Sequence, residues 1–477
     1  MFPRTPRFNA AARRRFLISA VAVPLFVACG DPSSSPPSPD AGSETAAVGS
    51  CADHPAEPTC LSDETAIFVS AKSGDAGGDG TKAHPLKKIA EGLAKLTDTK
   101  RRIYICGVTF NENVVLDKDH SGVTLIGAEC DWSAAKTKPL ITGLIDFSVA
   151  SIPLIIDRAE RVTIADIGVR STDAVSGRSS IAVFVSGGVA TFKRVSLAAG
   201  LGSPGAGGTL VPFSTTPSQK DLRGHNAAGI VGAAATVITC PNGDVTTGGK
   251  GGNWNFPGEK GTPGSKDNAQ VSSTCSSPLT DARGDDAPST VPAAGAAVIG
   301  TVTPLGWTPA TGADGEAGKP GQGGGGAFGN VNGGGGGGAG GCGGKGGGGG
   351  KGGGGSIALL IDTSTVSIEQ SDLRAQSGGN GGDGAAGQPG GLGGSGGFGS
   401  GTFSCFGGNG GNGADGGFGG GGAGGVSIGA LYNGTKPTFD NATLGGITLG
   451  DAGTGGSGGP GAARGVDGIK APVYPPL

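Results

Sequence analysis

Between residues 66 and 200 the apolar positions come in runs of three to six, each closed by a short polar or glycine-bearing stretch. That spacing is too tight for ordinary helices and predicts strands. Ala66–Ser70, Arg102–Cys106, Asn113–Leu116 and Gly122–Ile126 are the first of them. One stretch has a different period. After Pro85, which suits a first helical position, Leu86, Ile89, Ala90, Leu93 and Ala94 recur at helical spacing, predicting a helix over Leu86–Leu96.

Four later segments superimpose on one another. Ser151–Asp157 leads to Val162–Ile164, Ser180–Ser186 to Ala190–Phe192, Ser356–Asp362 to Val366–Ile368, and Ser427–Asn433 to Pro437–Phe439. Each then crosses a polar turn to one more apolar position: Val169, Leu197, Leu373 and Leu444. The first two copies start 29 residues apart, and the next intervals are 176 and 71, so long insertions separate the later copies. A unit of two or three short strands cannot bury its apolar face alone, but stacked copies can. The expected fold is therefore all-β, a right-handed parallel β-helix with an N-terminal capping helix and long Gly-rich loop insertions.

Composition changes the picture only for the insertions. Of 104 glycines in 477 residues, 16 precede residue 200. With 35% hydrophobic and 5% aromatic residues, one conventional core spanning the whole chain is not expected. The insertions read mainly as mobile loops. Gly312–Gly321 and Gly381–Gly390 nevertheless place Gly at every third position, which suits extended polyproline-II-like or polyglycine-II-like rows. A collagen helix is disfavoured because the triplets break at Gly323–Gly326 and Gly346–Gly355. The net charge is −3 and the first 28 residues hold five Arg and no acid, so no basic stripe remains for a nucleic-acid partner.

Those first residues read as an export signal: Arg4, Arg7, Arg13, Arg14 and Arg15 precede the apolar run Phe16–Ala28, which is too short to span a bilayer comfortably. Phe26-Val27-Ala28-Cys29-Gly30 resembles the lipobox of bacterial lipoproteins, with Phe26 in place of the usual Leu; the resemblance implies a lipid on Cys29. Arg13–Leu17 resembles the twin-arginine export motif, leaving Sec and twin-arginine export both open. The expected division is a signal peptide (1–28), a lipid-bearing Cys29 with a Ser/Pro-rich tether (29–62), the N-terminal β-helix (63–200), a Gly-rich insertion (201–355), one coil (356–376), a second insertion (377–425), and a final coil with the C-terminal tail (426–477). Eight further cysteines in an exported chain predict disulfides. Local pairing would join Cys51 with Cys60, Cys106 with Cys130, Cys240 with Cys275 and Cys342 with Cys405. No Cys-x-x-Cys occurs and His54, His84, His120 and His225 are scattered, so no zinc site is expected.

A strand, a Gly/Asp turn, Gly80-Thr81, Pro85-Leu86-Lys87-Lys88-Ile89 and then Ile103-Tyr104-Ile105-Cys106-Gly107 together resemble the opening of pectin-lyase-like parallel β-helix proteins of bacterial envelopes. The resemblance covers roughly residues 66–200 and the coils near 356 and 427. It implies a fold shared by polysaccharide lyases, hydrolases and adhesins, and does not choose among them.

Chemistry is sparse. A lyase of this kind needs clustered Asp with an Arg or Lys base, and a hydrolase needs Asp residues flanking the scissile bond. Asp157, Asp166, Asp362 and Asp372 lie in coils near Arg158, Arg161 and Arg374, but Ser186 and Asn433 occupy the place of Asp157 and Asp362 in the other copies. That pattern predicts a polar ladder at a coil corner, and no catalytic residue is assigned. Asp285-Asp286 falls in a Pro/Ala/Gly-rich stretch, and His120 and His225 have no motif around them. Gly378–Asp383 matches the opening of the calcium-binding nonapeptide of RTX β-rolls, as a single copy where tandem copies are needed. No cofactor is therefore expected, with calcium the one candidate. The expected function is a non-enzymatic cell-surface lipoprotein, exported and lipid-anchored to a bacterial membrane, which displays a β-helix with Gly-rich loops for structural or adhesive contact with polysaccharide or other envelope components. The rival is a polysaccharide lyase or hydrolase.

Overall fold

Short β-branched runs that each end at a polar turn fold here as rungs of three parallel sheets. The computed structural model describes residues 48–144, 152–271, 275 and 282–475; the export signal, Cys29 and Ser151 lie outside them. The first sheet has seven strands (Ala66–Ser70, Arg102–Cys106, Thr124–Ala128, Val162–Ala165, Val189–Lys193, Thr365–Glu369, Thr438–Phe439). The second has six, from Val114–Leu116 through Leu154–Asp157, Ser180–Ser186, Ser356–Asp362 and Ser427–Asn433 to Lys470–Tyr474. The third, also of six, runs from Thr109–Asn111 through Leu140–Thr142, Gly168–Arg170, Ser196–Ala198 and Asp372–Ala375 to Thr448–Leu449. Each coil passes from second to first to third sheet, which is the expected parallel β-helix.

Register follows the sequence alignment. Val183 pairs with Leu154, Ser180 with Ser356, and Ser356 with Ser427, so the long insertions leave the stacking intact. Ile164, Phe192 and Ile368 stack in the core. A one-residue slip would turn each of these outward, so core burial specifies the register. The second sheet buries both faces: Val183, Val185, Leu359 and Ile361 point in, while Ile181, Phe184, Ile357 and Leu360 lie under Trp307. That explains its unbroken apolar runs. The corner after the second sheet is held in left-handed backbone at Arg158, Gly187, Thr363 and Gly434 (φ 55°, 64°, 48° and 99°).

Two expectations fail locally. The helix is only Ile89–Leu93, because Leu86 donates its N–H to Phe68 O and accepts at its carbonyl from Ser70 N, which makes it a strand partner. Leu444 does not continue the Val169, Leu197, Leu373 column. It lies 44% exposed in a short helix, Asn441–Gly445, capped by Asp440. Arg374 pairs with Thr448, so Ile447 takes the place beside Leu373 and packs against the core.

The larger correction concerns the Gly-rich insertions, which are packed rows and not mobile loops. Rows 312–327 and 335–350 run antiparallel, bonded at every third residue: Gly312 N to Gly350 O, Gly315 N to Gly347 O, Gly318 N to Gly344 O, Gly321 N to Gly341 O. Row 335–353 lies parallel to row 405–423, with Gly338 N bonded to Gly408 O and Gly353 N to Ala423 O. Row 379–397 runs antiparallel to both. Three residues per turn with bonds leaving sideways is the polyglycine II arrangement. Rows approach so closely that only Gly fits: a Cβ on Gly343 would stand 1.8 Å from Gly318 O, and one on Gly341 1.9 Å from Gly391 O. The sequence offered this arrangement through its Gly-x-x period. Mobile loops fail as a description because each row supplies the hydrogen-bond partners of the next.

The lobe emerges where a chain leaves the third sheet. Outgoing rows beginning near residues 200, 377 and 450 stack parallel, and returning rows enter the second sheet at Ser356, Ser427 and Lys470. The ladder is continuous across that junction, since Gly353 N to Ala423 O is followed by Ser356 N to Val426 O.

Four disulfides are present. Cys51–Cys60 and Cys106–Cys130 pair locally as expected. The other two are exchanged: Cys240 joins Cys342 and Cys275 joins Cys405, at separations of 102 and 130 residues. Row packing brings distant cysteines together, which local spacing did not encode. The folded unit begins at Val48, inside the span expected to be tether. Its first helix, Val48–Asp53, is held by Arg194 Nη2 donating to Ala52 O (2.5 Å) and by the Lys193–Asp53 ion pair (2.6 Å).

Candidate functional site

The three outer faces of the helix differ in cover. Phe68, Tyr104 and Ile126 of the first sheet are buried with Trp132 and Leu61, and the second sheet lies under Trp307. The third sheet is open and concave. Its strands alternate strictly: Phe110, Ile141, Val169, Leu197 and Leu373 are buried, so their neighbours Asn111, Thr142, Arg170, Ala198 and Arg374 must face out.

Two adjoining cavities of about 690 Å³ each lie on this face. One is lined by Asn111, Thr142, Arg170 and Asp173, the other by Ser196, Arg374 and Thr448, and Arg170 and Gln376 belong to both. Ala198 pairs with Arg170 on one side and Arg374 on the other. The α-carbons of Arg170 and Arg374 therefore stand two strand spacings apart, roughly 10 Å along the stack. Both are exposed, and among the described residues neither forms an ion pair. Asp173 instead accepts from Leu201 N (2.8 Å). Beneath, the buried Ser180 hydroxyl donates to Thr172 O and accepts from Gly200 N (both 2.8 Å), which fixes the rim where the first outgoing Gly row departs.

The acids singled out from sequence do not meet there. Asp157 is gripped by Arg158 (2.8 Å), and Asp362 accepts from Asn433 Nδ2 (2.8 Å), both at the corner column. Of the two, only the Asp362–Asn433 bond joins one coil to the next, so the polar ladder expected at this corner has a single rung. Asp166, nearly buried, takes two bonds from Arg194 (2.8 and 2.7 Å), and that hydrogen bonding raises the Arg194 pKa above its usual value. Asp372 faces out on the same strand as Arg374 but lines neither cavity. Asp285 pairs with Lys266 (3.5 Å) and Asp286 with Arg283 (2.7 Å), in the lobe. His120 bonds Asp117 (2.7 Å), and the carbonyl of His225 receives Gly336 N in a row.

The RTX-like segment has a different use. Ser377, Asn380 and Asp383 accept, through their side chains, from Asp451 N, Thr454 N and Ser457 N at 3.1, 2.9 and 2.6 Å. Equal steps of three on both rows make this the polar edge of a polyglycine II pair. Among the described residues no group of three or more His, Cys, Asp or Glu side chains stands together to hold a metal.

Sequence reasoning named Arg374 but passed over Asn111, Thr142, Arg170, Asp173 and Gln376. The signal was present for Arg170, which follows the aligned inward position Val169 as Arg374 follows Leu373. Asp173 and Gln376 reach the cavities only through the path of the outgoing chain.

No family model and no curated protein matches this chain. Among solved structures, the native crystal structure of a GH136 lacto-N-biosidase from Eubacterium ramulus is similar over 29% of this chain and 27% of that one, at 17% identity and a TM-score of 0.20. The selenomethionine derivative of that enzyme is similar over 28% and 30%, at 15% identity and a TM-score of 0.16. A likeness that short and loose carries no argument about activity. Four disulfides suit an oxidising, extracytoplasmic compartment, and no helix among the described residues is long and apolar enough to cross a membrane.

Proposed function

We propose that the protein is an exported, non-enzymatic binding protein of the bacterial envelope, anchored through lipid on Cys29, whose third-sheet groove holds an extended anionic polymer such as an acidic polysaccharide. The observation that carries this reading is the pair of exposed guanidiniums, Arg170 and Arg374, on the open concave face with no acid paired to either among the described residues. A guanidinium presents a fixed fork of donors suited to carboxylate or sulfate groups. Against hydrolysis or elimination stands the dispersal of the acids: each of Asp157, Asp166 and Asp362 is engaged by its own partner, whereas a glycosidase needs two carboxylates flanking one bond.

The test is retention of the purified chain on immobilised polygalacturonate or alginate, with product analysis alongside. Arg170→Ala/Arg374→Ala is expected to weaken retention at least about tenfold, and raised salt to weaken the wild type. Release of reducing or unsaturated ends by the wild type would overturn the non-enzymatic reading and favour the lyase or hydrolase. The anchor is tested separately: Cys29→Ala is expected to move the protein from the membrane to the soluble fraction, and unchanged membrane retention would refute lipidation.

A further inference from the structure

The far end of the polyglycine lobe, where outgoing rows turn back, is unlike the rest of the surface. Every exposed large aromatic side chain among the described residues lies in its turns: Trp254 (59%), Phe256 (65%), Phe398 (49%), Phe403 (71%) and Phe406 (48%). The backbone sets these turns side by side. Trp254 N donates to Ile230 O and Asn255 N to Gly329 O, while Ser400 N donates to Gly333 O and Gly335 N to Cys405 O. The rings of Phe398 and Phe406 meet edge to face at 5.2 Å. Ile230 (60%) and Val331 (57%) extend the apolar surface between them.

Three features narrow what meets it. The turns spanning residues 226–242, 251–258, 321–344 and 384–414 contain no Asp, Glu, Lys or Arg; one cation from outside them, Arg223, lies over the Phe398 ring at 4.9 Å. Rings accompanied by a single stacked cation do not suit an anionic lipid surface, which is drawn to several Lys and Arg beside the apolar residues. The polar groups among the rings are amides and hydroxyls, from Asn255, Asn332, Ser400 and Thr402, a mixture of rigid rings with small polar side chains that recognition loops use. Finally, the Cys275–Cys405 disulfide and the row ladder hold the turns in place, so little ordering cost is left for binding.

We propose that this tip is a second binding surface, for an uncharged polysaccharide whose C–H faces lie on the exposed rings and whose hydroxyls meet the amides and hydroxyls around them. It deepens the reading of the protein as a non-enzymatic envelope binder, and it assigns to the lobe a specificity opposite in charge character to that of the groove.

The experiment compares the full-length protein with Trp254→Ala/Phe403→Ala and, separately, Arg170→Ala/Arg374→Ala, on insoluble β-glucan and chitin, on immobilised polygalacturonate, and on vesicles of neutral and anionic phospholipid. Unchanged circular dichroism and melting establish that the tip variant is folded; if it is not, Trp254→Tyr/Phe403→Tyr keeps the rings and serves as the folded control for retention. Expected is retention on at least one neutral glycan, insensitive to salt, lost at least about tenfold in the tip variant and unchanged in the groove variant. No retention on any neutral glycan, or retention unchanged by the tip variant, overturns the proposal. So does vesicle binding that depends on Trp254, or a dimer seen by sedimentation that Trp254→Ala dissolves. Loss of polygalacturonate binding in the groove variant alone tests the groove and leaves the tip result standing by itself.

Discussion

The coils and the polyglycine lobe are both stacks of extended chain, and a single ladder runs through them at Ser356, yet opposite ends of the residue hold them together. In the coils, side chains alternate with period two and burial of Ile, Leu, Val and Phe drives the stack. In the lobe the period is three, glycine backbones face each other at most row contacts with only a few side chains such as Thr246 set between them, and backbone amides bond sideways in several directions. The first tolerates any apolar residue of suitable size; the second tolerates only hydrogen at the α-carbon wherever rows face each other. The difference shows that a glycine content ordinarily associated with disorder can specify a rigid body, provided the rows are numerous enough to satisfy one another.

The most damaging change is therefore expected in the lobe. Gly343→Val puts atoms on the Gly318 backbone, 1.8 Å from where a Cβ would sit, and there is no flexible side chain to yield. A loss of about 3 kcal/mol or more is expected by calorimetry, whereas Gly445→Ala, which meets nothing within 4 Å, should leave the transition unmoved. If the two variants melt alike, close row packing is not what holds the lobe. Calorimetry of Gly343→Val also reports whether lobe and coils unfold together, as the shared ladder at Ser356 implies.

In the coils, Ile361→Ala removes a fully buried side chain and is expected to cost about 2–5 kcal/mol. Ile361→Leu should recover most of it, a rescue with no counterpart in the lobe. A smaller effect is expected from Cys240→Ser/Cys342→Ser. Although that bridge closes a long loop, the rows hold much of the same geometry, so the cost should fall toward the lower end of the usual range of about 2–4 kcal/mol. Mapping of disulfide-linked peptides should show Cys240 with Cys342, and Cys240 with Cys275 would contradict the row order.

The smallest effect concerns Asp440. Hydrogen bonding from the Thr443 side chain, then from the Thr443 and Gln370 amides, holds its carboxyl below the usual carboxylate value. A pKa lowered in the folded state contributes stability that is present above the unfolded value of about 3.9 and is lost as pH falls through the folded one. Asp440→Asn should lower the melting temperature slightly at neutral pH and less at pH 3, which flattens the acid side of the melting profile. A drop of equal size at pH 7 and pH 3 would show that the cap acts through geometry and not through charge.

What this sequence determined unaided was the coil: strand identity, the equivalence of segments separated by up to 176 residues, their register and their inward faces. Those are properties of period two and of apolar runs, which act on neighbours along the chain. Residues 312–321 and 381–390 also carried the three-residue period of the rows, but a Gly-x-x period is compatible with a solvated chain as well as a packed one. Only the tertiary structure decided between them, because a polyglycine row has no apolar face of its own and is ordered by hydrogen bonds from other rows. The same dependence explains why Cys240 met Cys342 and not Cys275. It explains too why Asp173 and Gln376 came to the groove beside Arg170, and why the aromatics at 254, 256, 398, 403 and 406 share one end of the lobe: their positions are set by where antiparallel rows turn, and the turns are aligned only once the rows have packed.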